Sequence, residues 1–309
     1  TRDDPKAWRD CDVYMQSREV GVQVAEAFED EFTHLKTSGI KPDKINFFEK
    51  STNLDVARKA METYMATGKM YKLLPSEKKA AGLLEDMNEE LTIYKHMVDY
   101  GAFDLLDGSV TCETRILDKN SLSGPKNDIT DELIRFVDGA REEILIQNSY
   151  ITLTTRAEAA LKRASARGVK LILLTNSPAT SDSFPTESMM LVDWKRYLAE
   201  IPNARIFAFA GKRQLHAKVF VFDRKVAIVG TYNLDPLSEQ VNSELVAVMK
   251  SPEFSAEVRS WIFTDIRNES KEYRLPSGTD KGFGPADFKP KNLWLLQFLS
   301  KMRWLRPLL

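Results

Sequence analysis

Leu215-His216-Ala217-Lys218-Val219-Phe220-Val221-Phe222-Asp223, continuing through Gly230-Thr231-Tyr232-Asn233 to Glu244, is the stretch around which the chain is organised. It gathers an imidazole, an ammonium, an amide and two carboxylates among apolar runs that read as buried strands. Side chains alternate faces along a strand, so His216 and Lys218 are expected to point one way while Ala217 and Val219 face the other. That pairing places a proton shuttle beside a cation. Cleavage of a phosphodiester needs both, together with donors that fix the orientation of the phosphoryl oxygens, and Asn233 can supply one. A carboxylate accepting from the other imidazole nitrogen would hold the tautomer, and Glu244, on the following strand, is the expected group. A His-x-Lys pair standing alone is an ordinary solvated strand edge. Here Asp223, Gly230-Thr231-x-Asn233 and Asn242-x-Glu244 follow it, a compound pattern that a solvated edge does not require.

Outward from this stretch the pattern is regular. Helices are expected over Ile129 to Val137, Arg156 to Ala166 and Trp194 to Ala199. Strands are expected at Ile144 to Ile146, Val169 to Leu174, Arg205 to Phe209, Lys218 to Phe222, Ala227 to Val229 and Glu244 to Met249. Gly168 marks a helix-to-strand turn. Strands alternating with helices imply an α/β fold with a largely buried sheet. Upstream, Ser121-Leu122-Ser123-Gly124-Pro125 reads as a linker. Between Lys41 and Asp118 the signal weakens to helical stretches, Leu54 to Met65 and Ser76 to Val98, broken by Gly68, Pro75 and Gly101. Near the start, Asp10-Cys11-Asp12-Val13-Tyr14-Met15 reads as a strand feeding a helix whose apolar face is Val20, Val24, Phe28 and Phe32.

Composition narrows the partners. The 309 residues carry a formal charge of -1, so any preference for anions must be local. Cys11 and Cys112 are too few for a disulfide framework. No stretch approaches the roughly 20 apolar residues of a membrane-spanning helix, and no signal-peptide pattern is present. The chain has no initiator Met, so residues are expected upstream of Thr1. No Cys/His or carboxylate cluster has ligand spacing, so no metal and no cofactor is implied, and activity is expected to survive a chelator.

His216-x-Lys218-x-x-x-x-Asp223, followed by Gly230-Thr231-x-Asn233 and Asn242-x-Glu244, resembles the HKD signature of the phospholipase D superfamily. Within it the chain is most similar to bacterial cardiolipin synthases and their phospholipase D-like relatives. Asn233-Leu234-Asp235-Pro236-Leu237-Ser238, Leu174-Thr175-Asn176-Ser177 with Asp182, and Asn148-Ser149-Tyr150 also carry the resemblance, which covers Ile129 to Ile266. In Asn148-Ser149-Tyr150, Asn and Ser replace the usual Ser and Pro. The resemblance implies that His216 is a catalytic histidine, that Lys218 and Asn233 bind phosphate, and that Glu244 orients a histidine. Asp223 belongs to the signature, counted with the catalytic set but read as holding strand and loop. Thr231 stands where Ser or Gly is usual and keeps a hydroxyl donor for phosphate.

Two-motif members of the family pair a nucleophilic histidine with one that protonates the leaving alcohol. This sequence shows one motif, since neither His34 nor His96 completes a second. Arg9-Asp10-Cys11-Asp12-Val13 resembles the segment that follows the first motif, so that motif is expected upstream, with His216 as general acid and then base. The implied fold is a phospholipase D-like mixed sheet flanked by helices, with the first repeat incomplete. Domains are expected at 1–40 (tail of the first repeat), 41–124 (helical insertion and linker), 125–267 (second repeat) and 268–309 (C-terminal extension). The implied activity is phosphodiester cleavage or phosphatidyl transfer on phospholipids through a phosphohistidine. The alternatives are a nuclease of the same superfamily or a non-catalytic phosphate-binding relative. Lys291 to Leu309, rich in Leu and Trp with Lys301, Arg303 and Arg306, suits an interfacial anchor, or else docks on the domain. Expected partners are therefore a phospholipid and an anionic membrane surface, with nucleic acid less favoured by the balanced charge. The implied location is peripheral, at a bacterial inner membrane.

Overall fold

The computed structural model describes residues 8–37, 51–93, 106–123 and 127–302. The chain forms two compact units, one built on Phe32–Ser109 and the other on Trp8–Glu31 with Val110–Leu309. Helix α1 spans Arg18–Thr37. In the first unit, α2 (Ser51–Thr67) and α3 (Ala81–Ile93) flank a 3-10 turn at Pro75–Ala80, where Pro75 supplies a first-turn residue with no N–H to orphan. Val56, Ala60, Ala80 and Leu84 form its small core. Buried Glu77 holds the turn by accepting from Lys59 Nζ at 2.7 Å, Tyr71 OH at 2.9 Å and Leu74 N at 2.9 Å. His96, Val98 and Gly101 lie outside the described residues.

In the second unit the order is β1 (Glu113–Lys119), α4 (Asp128–Gly139), β2 (Glu143–Asn148), α5 (Thr155–Ala166), β3 (Lys170–Asn176), α6 (Phe184–Glu200), β4 (Ala204–Phe209), β5 (Lys218–Phe222), β6 (Val226–Gly230), α7 (Pro236–Gln240), β7 (Glu244–Lys250), α8 (Pro252–Glu269), β8 (Ser270–Glu272) and α9 (Leu293–Leu299). The strands make one 8-stranded mixed sheet in the order β1-β7-β6-β5-β2-β3-β4-β8. Strands β2, β3 and β4 run parallel, joined through α5 and α6, and every other neighbour is antiparallel. Both sheet faces are covered, which is why the central strands read as unbroken apolar runs. Phe220 and Phe222 of β5 pack with α4, α5 and α6, and Val219 and Val221 with α8 and Val20 of α1. The α/β class and the expected central strands are found here, and α6 extends further towards its N-terminus than its apolar spacing indicated.

Three expectations change. Residues 113–119 form an edge strand where only weak helical signal was legible. Its Ile116 N–H faces away from β7 and is satisfied by Gln23 Oε1 of α1 at 2.9 Å. Residues Asp10 to Met15 form no strand, and the segment pairs with the sheet domain just before them, at Arg9, through a parallel bridge to Leu215. Helix α1 buries Val20 of its expected face, while Phe28 is 65% exposed. Polar contacts tie it instead: Asp30 accepts from Asn120 Nδ2 at 3.2 Å and Glu31 from Ser243 Oγ at 2.8 Å.

Asp223 sits at the far end of β5 from His216, so the structure removes it from the catalytic set. Asp223 and Arg224 both have positive φ, 51° and 57°, as a type I′ turn requires, and Lys225 N closes the turn on Phe222 O at 2.9 Å. The Asp223 carboxylate accepts from the backbone N–H groups of Arg141, Glu142 and Glu143 at 2.8–3.2 Å, stapling the β5–β6 turn to the start of β2. Burial alone would raise its pKa, but these donors hold it below the ordinary aspartate value. A depressed folded pKa stabilises above the unfolded value of about 3.9 and is lost as pH falls through the folded value. Asp223→Ala should therefore cost about 2 kcal/mol in urea denaturation at neutral pH. The gap from the parent should close as pH falls below about 4.

Candidate active site

The site lies where β2 and β3 end and β5 and β7 begin. Each of the two parallel strands finishes on an asparagine that is fully buried: Asn148 on β2 and Asn176 on β3. Asn176 accepts from Leu215 N at 2.9 Å and donates to Leu215 O at 2.7 Å and Ser149 O at 3.0 Å. Asn148 donates to Tyr232 O at 3.1 Å and accepts from Leu234 N at 3.2 Å. Such amides act as backbone surrogates where the ladder stops. They fix the two loops that carry His216 and Asn233. Gly230 allows the second loop to start, because a Cβ there would stand 2.2 Å from Leu245 O.

His216 precedes β5 rather than lying in it. Arg9 O receives His216 N at 2.9 Å and Ala217 N at 3.2 Å, so the segment around Arg9 replaces a neighbouring strand. Asp10 Oδ2 lies 2.9 Å from His216 Nδ1. The imidazole contact holds the Asp10 carboxyl below the ordinary aspartate value, against the effect of burial. An ionised carboxylate can only accept, so Nδ1 carries the proton and Nε2 of the neutral ring is left to exchange one. Glu244 was the expected partner. It lines the same cleft but is buried and accepts from Thr231 Oγ1, from Ser238 Oγ at 2.6 Å and from Asn242 Nδ2 at 3.3 Å. The β6–β7 pairing puts Glu244 beside Thr231, while Asp10 arrives from more than 200 residues away.

Lys218 is buried and donates to His216 O and to Ser149 Oγ at 3.1 Å. An ammonium has three donors, so one is left for a phosphoryl oxygen. Burial lowers its pKa, opposed by Asp10, Glu244, Asp235 and Asp182. Asn233 lines the cleft with its Oδ1 buried and without a hydrogen-bond partner among the described residues. An amide oxygen only accepts, so it is the Nδ2 group of Asn233 that could donate to a phosphoryl oxygen. Thr231 also lines it, but its hydroxyl proton goes to Glu244, so it is not the phosphate donor that was expected. Asp235 caps α7 through Ser238 N at 2.8 Å and burial pushes its carboxyl up to about 6. Tyr150 OH donates to Asp182, completing a second polar group on the His216 side.

His216, Lys218, Thr231, Asn233 and Glu244 all line one cleft of about 820 Å³, with Asp10. Cys11, Val13, Met15, Val229, Leu245 and Ala247 make its apolar wall. Burial pushes the Cys11 thiol up to about 11, away from nucleophile chemistry. Among the described residues no three His, Cys, Asp or Glu side chains converge as a metal would need. Residues 133–266 match the family described as cardiolipin synthase, PLD-like domain. This chain carries a phospholipase D-like domain. Cardiolipin synthase B of Escherichia coli K12 is 29% identical over 134 residues, covering 43% of this chain and 31% of that protein. An uncharacterized Helicobacter pylori protein is 26% identical over 135 residues, 39% of this chain and 26% of its own length. The matches thus span about a third or less of these curated relatives. Phosphatidylserine synthase from Haemophilus influenzae has the same fold, with a TM-score of 0.50 at 12% identity over 84% of this chain and 62% of that one.

Asp10 is legible in the sequence only as part of a family-like segment, and the structure gives Glu244, Thr231 and Asp223 other partners than the sequence indicates. Trp8 was missed, and Asn148 and Asn176 were read as strand-end residues without a role. A Trp-Arg-Asp run at Trp8 to Asp10, directly before an alternating stretch, was the available signal.

Proposed function

We propose that the phospholipase D-like domain cleaves phosphodiesters of phospholipids and passes the phosphatidyl group to an alcohol or to water. The observation that carries this is the cleft itself: His216, Lys218 and Asn233 at one end and the wall of Val13, Met15, Val229, Leu245 and Ala247 beside them. A diester with a polar head and apolar chains matches that division, whereas a nucleic acid backbone calls for basic residues along its track. Lys218 and Asn233 bind the non-bridging oxygens. A second histidine, as in two-motif members of the family, attacks phosphorus. His216, entering as the imidazolium, gives its Nε2 proton to the leaving alcohol as the P–O bond breaks, leaving a phosphohistidine on the other histidine and a neutral His216 ring that keeps its Nδ1 proton on Asp10. It then takes a proton from the acceptor, whose oxygen displaces the histidine. Glu244, which lines the same cleft and whose hydrogen-bond partners among the described residues are neutral, would orient that second histidine.

The similarity to cardiolipin synthase B supports a membrane-associated bacterial protein, and so does α9. Among the described residues no helix is long and apolar enough to cross a membrane. Helix α9 packs on α6, burying Leu296, while Trp294 and Phe298, one turn apart, are 70% and 59% exposed between Lys291 and Lys301. Aromatic side chains flanked by cations suit the headgroup region of an anionic bilayer. Arg303 and Arg306 lie outside the described residues.

Two experiments test these readings. Full-length protein is offered phosphatidylglycerol vesicles and plasmid DNA side by side, with and without His216→Ala. Lipid turnover that falls at least about 10³-fold in the variant is expected, and DNA cleavage without lipid turnover would overturn the assignment. Separately, Trp294→Ala with Phe298→Ala should weaken flotation on phosphatidylglycerol vesicles about tenfold, roughly 1.4 kcal/mol. Unchanged flotation would remove α9 from the interface.

A further inference from the structure

We propose that Trp8 is a positioning residue for His216, setting the plane of the imidazole so that Nε2 faces the cleft; this rests on the phosphodiesterase reading of the site. The Trp8 indole stacks on the His216 ring with centroids 4.2 Å apart and planes inclined by 26°. Trp8 and Asp10, two residues apart, both reach the His216 ring. The register of their segment on the His216 loop is held by Arg9 N donating to Gln214 O at 2.7 Å and Arg9 O accepting from His216 N at 2.9 Å. The same short run therefore meets the imidazole twice, at Nδ1 and on a ring face.

The segment is itself anchored. The Arg9 guanidinium reaches Asp265 of α8 at 3.1 Å, and Asp265 accepts from Gln147 of β2 at 2.9 Å. Trp8 thus stands on a fixed base. Its indole is 55% exposed and belongs to neither of the hydrophobic clusters that cover the sheet faces. A large aromatic placed for packing would bury most of its surface. This one leaves most of it in solvent and gives its ring contact to the histidine. A single hydrogen bond at Nδ1 leaves the imidazole able to rock about that bond, because terminal torsions of this kind are broad. The stacked face removes that freedom, and a proton donor must be held close to its reacting geometry to act.

The test uses full-length protein and a soluble phosphodiester, with Trp8→Leu and Trp8→Phe. Leucine keeps an apolar side chain but no ring face, so kcat should fall about five- to tenfold with KM nearly unchanged. Phenylalanine should restore kcat to within about twofold of the parent. The ring protons of His216, assigned by comparison with His216→Gln, should show an upfield ring-current shift that Trp8→Leu abolishes. That measurement needs no turnover. No phosphodiester turnover in the parent with the ring-current shift intact would overturn the activity reading; His216 ring protons without the shift would overturn the stack. Equal kcat in Trp8→Leu and the parent, or a Phe variant no better than Leu, would overturn the positioning role.

Discussion

The hydrogen bond between Asp10 and His216 joins residues 206 apart in sequence, and the candidate active site depends on it. Without a carboxylate at Nδ1 the imidazole has no fixed tautomer, and without the Arg9 backbone beside it the N–H groups of His216 and Ala217 lose their acceptor. Both come from one run of three residues. That run is held in turn by Arg9 on Asp265 and by Asp265 on Gln147, so a long-range ion pair transmits the position of β2 to the reacting nitrogen. Arg9 and Asp265 are both largely buried, the setting in which loss of one partner strands the other charge.

The opposite wall is built by a different device. Asn148 and Asn176 end the two parallel strands and hold the loops beyond them, so His216 and Asn233 are positioned by buried amides rather than by their own strands. Glu244 is then surrounded by Thr231, Ser238 and Asn242, which takes up its oxygens without a cation. The cleft accordingly has two carboxylates, Asp10 engaged by a histidine within this chain and Glu244 engaged by neutral donors. This asymmetry is the structural counterpart of a single histidine motif in the sequence.

Legibility followed the kind of interaction. The central strands were readable because a sheet covered on both faces needs continuous apolar runs such as Val219 to Phe222, and His216, Lys218 and Asn233 because their spacing is a compound pattern. Strand β1 was not readable. It is an edge strand with Glu113, Arg115, Asp118 and Lys119 among few apolar residues, and its free edge is satisfied by Gln23 from another element. The apolar stripe of α1 was read as a core face, yet Asp30, Glu31 and Gln23 carry its contacts to β1, β7 and their loops. Glu244 was matched to His216 on proximity in sequence, and proximity along an antiparallel ladder put it beside Thr231 instead. Asp10 was out of reach because no periodicity reports a pairing across the whole chain.

The tautomer of His216 tests the central claim most directly. In 15N-correlated NMR spectra of the full-length protein above the imidazole's titration range, the account predicts His216 protonated on Nδ1 with Nε2 bare, and a loss of that preference in Asp10→Ala. A neutral His216 carrying its proton on Nε2, or a tautomer indifferent to Asp10, would contradict it.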